Sequence, residues 1–183
     1  MHKDTIKNSI REDASEEFDI LFPERFIKNT DYYNSLMMMY RCAIREVSTK
    51  LEVLDDEFSV KYKRNPISSI KSRIKTPLSI YNKLQRLGYE FTEQNIREQL
   101  NDVAGIRVIC SFVDDIYAVA RLLADQDDIT IIRIKDYIQN PKPNGYRSYH
   151  MIIEIPVFFA EGKTPIRAEI QIRTIGMDFW ASL

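Results

Sequence analysis

The chain has 183 residues, 44% of them hydrophobic and 29% charged, and a net charge of −1. That balance describes one globular domain with a sizeable core, with or without a helical extension, and excludes a disordered chain or a whole-surface nucleic-acid binder. No apolar run is long enough to span a bilayer, and the opening Met1-His2-Lys3-Asp4 has no signal-peptide character, so the chain reads as cytoplasmic.

Residues 1 to about 30 are charged and weakly patterned, and read as a loose lead-in. From Asp31 to about Asp56, Tyr33, Leu36, Tyr40, Ile44, Val47, Leu51 and Leu54 recur at helical spacing and predict a long amphipathic helix. Met37-Met38-Met39 widens its apolar face, with core packing the plainer explanation. Ile67 to Lys75 reads as a strand. Thr76-Pro77 then predicts a helix start, a capping hydroxyl followed by proline at the first helical position, and Gly88 predicts its end. Thr92 caps a short helix reaching about Leu100.

Ile106 to Phe112 is a nearly apolar strand interrupted by Arg107, which must find a carboxylate, a phosphate or an aromatic face. Asp114 to Asp125 reads as an amphipathic helix and Ile129 to Ile138 as a strand. A polar loop, Gln139 to Gly145, leads into a strand from Tyr146 to Val157. A turn near Glu161-Gly162 follows. Ile166 to Thr174 alternates strictly, with Ile166, Ala168, Ile170 and Ile172 on one face and Arg167, Glu169, Gln171 and Arg173 on the other. It reads as a last strand closing the sheet at an edge, and Phe179-Trp180 begins a further helix. The order predicts an α/β (α+β) fold: a mixed five-stranded sheet flanked by helices, its last two strands antiparallel.

Cys42 and Cys110 lie far apart in apolar-periodic contexts and read as buried free thiols in a reducing compartment. With only His2 and His150 beside them, a Cys/His metal site is excluded. Between Lys61 and Arg86 the chain carries Lys61, Lys63, Arg64, Lys71, Arg73, Lys75, Lys83 and Arg86 and no acid. A solvated basic face and a local anion site both account for that cluster. Gly162-Lys163-Thr164 is not a phosphate loop, because Val157 stands where the motif needs glycine. Ser148 and His150 lie two apart in one predicted strand without a nucleophile elbow, so they make no triad.

Four polar groups lie at the starts or interiors of apolar strands: Arg73 with Lys75, Asp102 with Arg107, Tyr146 with His150, and Glu169 with Gln171 and Arg173. Two carboxylates on neighbouring strands suit a hard cation such as Mg2+, completed by nucleotide phosphates. Lysines and arginines at the rim suit those phosphates. Tyr146, presented beside a glycine, offers a flat face on which a base can stack. Together they describe phosphoryl or nucleotidyl transfer.

The segments Asp102-Val103-Ala104-Gly105-Ile106-Arg107, Asn144-Gly145-Tyr146-Arg147-Ser148-Tyr149-His150 and Glu169-Ile170-Gln171-Ile172-Arg173-Thr174 resemble the signature of RelA/SpoT-type (p)ppGpp synthetases. From about Ile67 onward the chain is similar to the small, single-domain members of that family. The resemblance implies a polymerase-β-like nucleotidyltransferase fold in residues 61–183, with residues 1–60 as an N-terminal helical extension. It implies transfer of pyrophosphate from ATP to the 3′-hydroxyl of GDP or GTP, with Mg2+, to make the stringent-response alarmone.

On the same resemblance, Asp102 and Glu169 hold the metal and Glu169 activates the hydroxyl. Arg73 and Arg107 sandwich adenine, while Lys75, Ser79 and Lys83 bind the donor phosphates. Tyr146 stacks on guanine, Lys142 and His150 meet the acceptor phosphates, and Gln171 and Arg173 line the cleft. Asp178 stands where several relatives carry asparagine for guanine. Relatives also continue past the Phe-Trp segment with a basic helical tail, and they often form tetramers. The same chemistry on an adenosine nucleotide or a tRNA 3′ end, and a silent nucleotide-binding regulator, are the alternatives.

Overall fold

The structure, a computed structural model, describes residues 30–183; the lead-in expected before residue 30 lies outside them. The chain divides into a unit ending at Met37 and a unit from Met38 to Leu183. Helix α1 (Thr30–Tyr62) ends six residues beyond the stretch that its apolar periodicity predicts. Of its methionines, Met37 is buried, while Met38 is exposed, so core packing does not account for all three.

The second unit continues with β1 (Ile67–Ile74), α2 (Pro77–Leu87), α3 (Glu93–Gln99), β2 (Ala104–Cys110), α4 (Val113–Ala124), β3 (Thr130–Asp136), β4 (Tyr149–Phe159), β5 (Gly162–Thr174) and α5 (Ile175–Ala181). This is the expected element order, and the sheet has the expected five strands, ordered β1-β2-β5-β4-β3. Among the described residues only β2 and β5 pair in parallel; β1–β2, β4–β5 and β3–β4 are antiparallel.

Local chemistry sets the element ends. Thr76 Oγ1 accepts from Ser79 N at 3.3 Å and Pro77 opens α2, so one orphan amide is capped and another is absent. Gly88 closes α2 at φ +80°, where a Cβ is strained, and its amide returns to the last turn. Thr92 caps α3 in the same way. Asp55 of α1 accepts from the Ile67 amide at 3.1 Å and from Asn65 at 3.0 Å, anchoring the start of β1 to the helix. Arg64 pairs with Asp115, which also caps α4 through the Phe112 amide.

Two expectations change. The Ile166–Thr174 strand is not an edge: β5 sits in the centre, hydrogen-bonded to β2 on one side and to β4 on the other. Tyr146 does not begin a strand; β4 opens at Tyr149, and residues 142–146 fold into a turn with Gly145 at φ +79°. Ile106, Val108, Met151, Ile153, Ile170 and Ile172 share one buried face, which α4 packs against at β2 and β5. Arg167 is tied to the Glu98 carbonyl and Asn101, a surface support outside the polar cluster.

Ile170 is fully buried and Phe158 is 76% exposed. Ile170→Ala should cost about 2–5 kcal/mol and Phe158→Ala within about 0.5 kcal/mol by urea denaturation. Cys110 is buried, and burial together with the charge of Asp55 pushes its thiol up to about 12. Cys42 is only half-buried, unlike the reading of two buried thiols. Native Cys110 should therefore resist alkylation in mildly alkaline buffer until the fold is opened, followed by mass spectrometry of the labelled peptides.

Candidate active site

The register of the sheet assembles the site. Across β1–β2–β5, Arg73 pairs with Gly105 and Gly105 with Glu169. One step along, Lys71 pairs with Arg107, Arg107 with Gln171, and Gln171 with His150 on β4. Because side chains alternate, both rows project from the face opposite the apolar core. Gly105, without a side chain, leaves a gap between Arg73 and Glu169. There a cavity of about 190 Å3 opens, lined among others by Arg73, Asp102, Arg107, Glu169 and Gln171.

Asp102 lies just before β2 and accepts from Lys83 Nζ at 2.7 Å and Lys75 Nζ at 3.1 Å. Burial pushes its carboxyl up, but the two ammonium groups outweigh burial and hold it below the usual carboxylate range. Lys75 and Lys83 also line a neighbouring pocket of about 250 Å3 with Ser79, Asn82 and Arg86. Ser79, Asn82, Lys83 and Arg86 lie at helical spacing on one face of α2.

Glu169 is held on both oxygens: His150 Nδ1 meets Oε1 at 3.2 Å and Gln171 Nε2 donates to Oε2 at 3.1 Å. Burial and, to a lesser extent, the charge of Asp102 push this carboxyl up, while its hydrogen bond and electrostatic interaction with His150 and the hydrogen bond from Gln171 outweigh them and keep it low. Both carboxylates are thus ionised. Such a pair fits Mg2+, which takes one or two protein carboxylates and leaves the other positions to water and phosphate oxygens. Among the described residues no group of three or more His, Cys, Asp or Glu is placed to hold a metal ion.

The third cluster surrounds Tyr146. Its hydroxyl lies 2.8 Å from His150 Nε2 and accepts from Arg173 Nη2 at 2.6 Å. Lys142 Nζ stands 4.8 Å from the Tyr137 ring centre and 4.9 Å from that of Tyr146, within cation–π range of both. Asp178 accepts from Arg173 Nη1 at 3.1 Å and pairs with Arg107 Nη1 at 3.2 Å. The partner that Arg107 requires is therefore a carboxylate from α5.

The structure brings Arg73, Asp102, Arg107, Glu169 and Gln171 to one cavity, with Lys75, Ser79 and Lys83 in the adjoining one. Lys142, Tyr146, His150, Arg173 and Asp178 form a connected group beside them. Sequence reasoning passed over Tyr137, whose ring stands edge-to-face with both Tyr146 and His150. No motif marks it. It also passed over Asn82, and it named Arg86 and Lys71 only within the basic cluster; helical spacing from Ser79 and Lys83 discloses Asn82 and Arg86, and strand parity with Arg73 discloses Lys71. Ser148, set aside as a nucleophile, is fully buried and receives Arg173 Nε at 3.3 Å.

Fold and site together define an α+β domain of the small alarmone synthetase type, a five-stranded mixed sheet with cationic and carboxylate side chains converging on one face. A family model described as "Region found in RelA / SpoT proteins" matches residues 72–183. The GTP pyrophosphokinase YwaC of Bacillus subtilis (strain 168) is 48% identical over 153 residues, 84% of this chain and 72% of that protein. The crystal structure of small alarmone synthetase 2 from Bacillus subtilis has a TM-score of 0.73 at 47% identity, covering 83% of this chain and 77% of that one. Small alarmone synthetase 1 from Bacillus subtilis, solved bound to its product pppGpp, has a TM-score of 0.76 at 34% identity, covering 82% of this chain and 76% of that one. The chain belongs to the RelA/SpoT family.

Asp178→Ala removes the counter-charge of Arg173, whose side chain is 5% exposed. It should destabilise the domain by about 3 kcal/mol in urea denaturation, with Asp178→Asn, which keeps an acceptor oxygen, costing less.

Proposed function

We propose that this chain transfers the β,γ-pyrophosphoryl group of ATP to the ribose 3′-hydroxyl of GDP or GTP, making (p)ppGpp. Family membership and relatives named GTP pyrophosphokinase support the reading. The single observation that carries it is the Glu169 carboxylate. It is ionised, held on both oxygens, and set one strand from Asp102 with its two lysines.

In the proposed reaction Glu169 takes the proton of the 3′-hydroxyl. The freed oxygen bonds to the β-phosphorus of ATP, the bond from that phosphorus to the α,β-bridging oxygen breaks, and AMP leaves with the electron pair. Asp102 and Glu169 would hold Mg2+, which supplies charge neutralisation at the phosphates. Lys75, Ser79 and Lys83 bind the donor phosphates, so the lysines now paired with Asp102 exchange part of that pairing for phosphate oxygens. Arg73 and Arg107 flank the adenine. Tyr146 stacks on guanine, and Lys142, His150 and Gln171 line the acceptor side.

Residues 61–183 make up the synthetase domain in this reading, with residues 1–60 as an extension that serves assembly into a homo-oligomer. ATP and guanine nucleotides are cytoplasmic metabolites, and the enzyme works there; no helix among the described residues is long and apolar enough to cross a membrane.

With γ-labelled ATP, Mg2+ and GDP or GTP, the protein should give labelled guanosine tetra- or pentaphosphate on thin-layer chromatography. Label on another acceptor alone, such as an adenosine nucleotide or tRNA, would sink the guanine assignment. Asp102→Asn and Glu169→Gln should each lower the rate by about 10²–10⁴-fold or more with the fold intact by circular dichroism. Near-normal turnover in either would refute its role.

A further inference from the structure

Resting on the transfer reading above, the hydrogen bonds around Arg173 carry a further conclusion. A guanidinium can only donate and an ionised carboxylate can only accept. With a neutral imidazole between them, Arg173 and Glu169 therefore set the direction of every bond strung between them. One arm runs from Arg173 Nη2 to the Tyr146 hydroxyl at 2.6 Å, from that hydroxyl to His150 Nε2 at 2.8 Å, and from His150 Nδ1 to Glu169 Oε1 at 3.2 Å. The other runs from Arg173 Nη2 to Gln171 Oε1 at 2.9 Å, and from Gln171 Nε2 to Glu169 Oε2 at 3.1 Å. The two arms close a ring, and each oxygen of Glu169 is held by a different one.

For a neutral imidazole the ring leaves one assignment. With Arg173 donating to its oxygen, Tyr146 has its own proton to give to His150 Nε2, so the imidazole carries hydrogen on Nδ1. The Gln171 amide is turned with its oxygen to Arg173 and its nitrogen to Glu169. Any other choice sets two donors or two acceptors face to face.

Arg173 is itself locked in place. It is 4% exposed, its Nε donates to Ser148 Oγ at 3.3 Å, and its Nη1 donates to Asp178 Oδ1 at 3.1 Å. Each of its three nitrogens is already engaged within the protein. Asp178 pairs in turn with Arg107 Nη1 at 3.2 Å, on the strand beside Glu169. A planar guanidinium can serve these partners at once because its donors are spread in a rigid fork.

We infer that Arg173 is a positioning residue: it aims the Glu169 carboxylate through both arms and does not bind the acceptor nucleotide directly. Ser148 and Asp178 are its supports, and Asp178 ties the same assembly to Arg107 at the donor cavity. This departs from the cleft-lining role that family resemblance implies for Arg173 and from the guanine contact it suggests for Asp178.

The test uses Arg173→Lys and Tyr146→Phe, assayed with ATP and GDP. Lysine keeps the charge, but one ammonium cannot reach Ser148, Asp178, Tyr146 and Gln171 together. Phenylalanine keeps the flat ring and removes only the hydroxyl between Arg173 and His150. With Glu169 misaimed, kcat should fall about 10²-fold for Arg173→Lys and about tenfold for Tyr146→Phe, while both KM values stay within about threefold of wild type. A raised KM for GDP with kcat unchanged overturns the inference, because it makes Arg173 a direct ligand. The second readout needs no turnover. Nitrogen-edited NMR of the imidazole in mildly alkaline buffer should show the Nδ1–H tautomer in the wild type and a mixture in both variants. A wild-type His150 carrying its proton on Nε2 overturns the ring. A wild type that forms no guanosine product counts against the transfer reading, while the tautomer still decides whether Arg173 directs Glu169.

Discussion

The parallel pairing of β2 with β5 is the constraint on which the site depends. Parallel neighbours cannot be joined by a tight turn, so everything from α4 through β4 intervenes before the chain returns beside β2. That return sets Glu169 opposite Gly105 and places Asp102 just ahead of the same register. Two carboxylates distant in sequence become neighbours with like charges. A site of that kind survives only if each charge is compensated, and the rest of the polar face supplies the compensation.

Compensation is unequal on the two carboxylates, and the difference accords with the roles proposed for them. Asp102 is neutralised by full charges, Lys75 and Lys83, which sit next to a pocket rich in further donors. Those partners are flexible ammonium groups that can be shared with an incoming anion. Glu169 is instead held by an imidazole and an amide, both clamped by other groups. Directional donors fix the aim of a carboxylate, which suits a group that must accept a proton from a defined direction.

The Tyr146 cluster shows how side chains can hold a loop that has no regular structure. Tyr146 lies in a turn rather than a strand, yet its ring is boxed by Tyr137 and His150 edge-on and by Lys142. Its hydroxyl is fixed by Arg173 from β5. Helix α5 completes the box through Asp178, so the short last helix is joined to both ends of the polar face, at Arg107 and at Arg173.

The sequence by itself determined the elements and the chemistry of the parts. Helical and alternating periodicity, Thr-Pro and Thr caps and the glycine stop at Gly88 are local signals, and each element they announced is present within a few residues. Arg107 in an apolar strand announced that a partner must exist, because an unpaired guanidinium in that setting is costly. What tertiary structure alone decided is who meets whom. The alternation of residues 166–174 is equally consistent with an edge and a centre, since period two reports a face and not a neighbour. The identity of Arg107's partner, the part taken by Tyr137 and the ring through Arg173 depend on contacts between segments that no spacing connects. Sheet order and register made those choices, because they alone bring β2, β4, β5 and α5 within hydrogen-bonding distance.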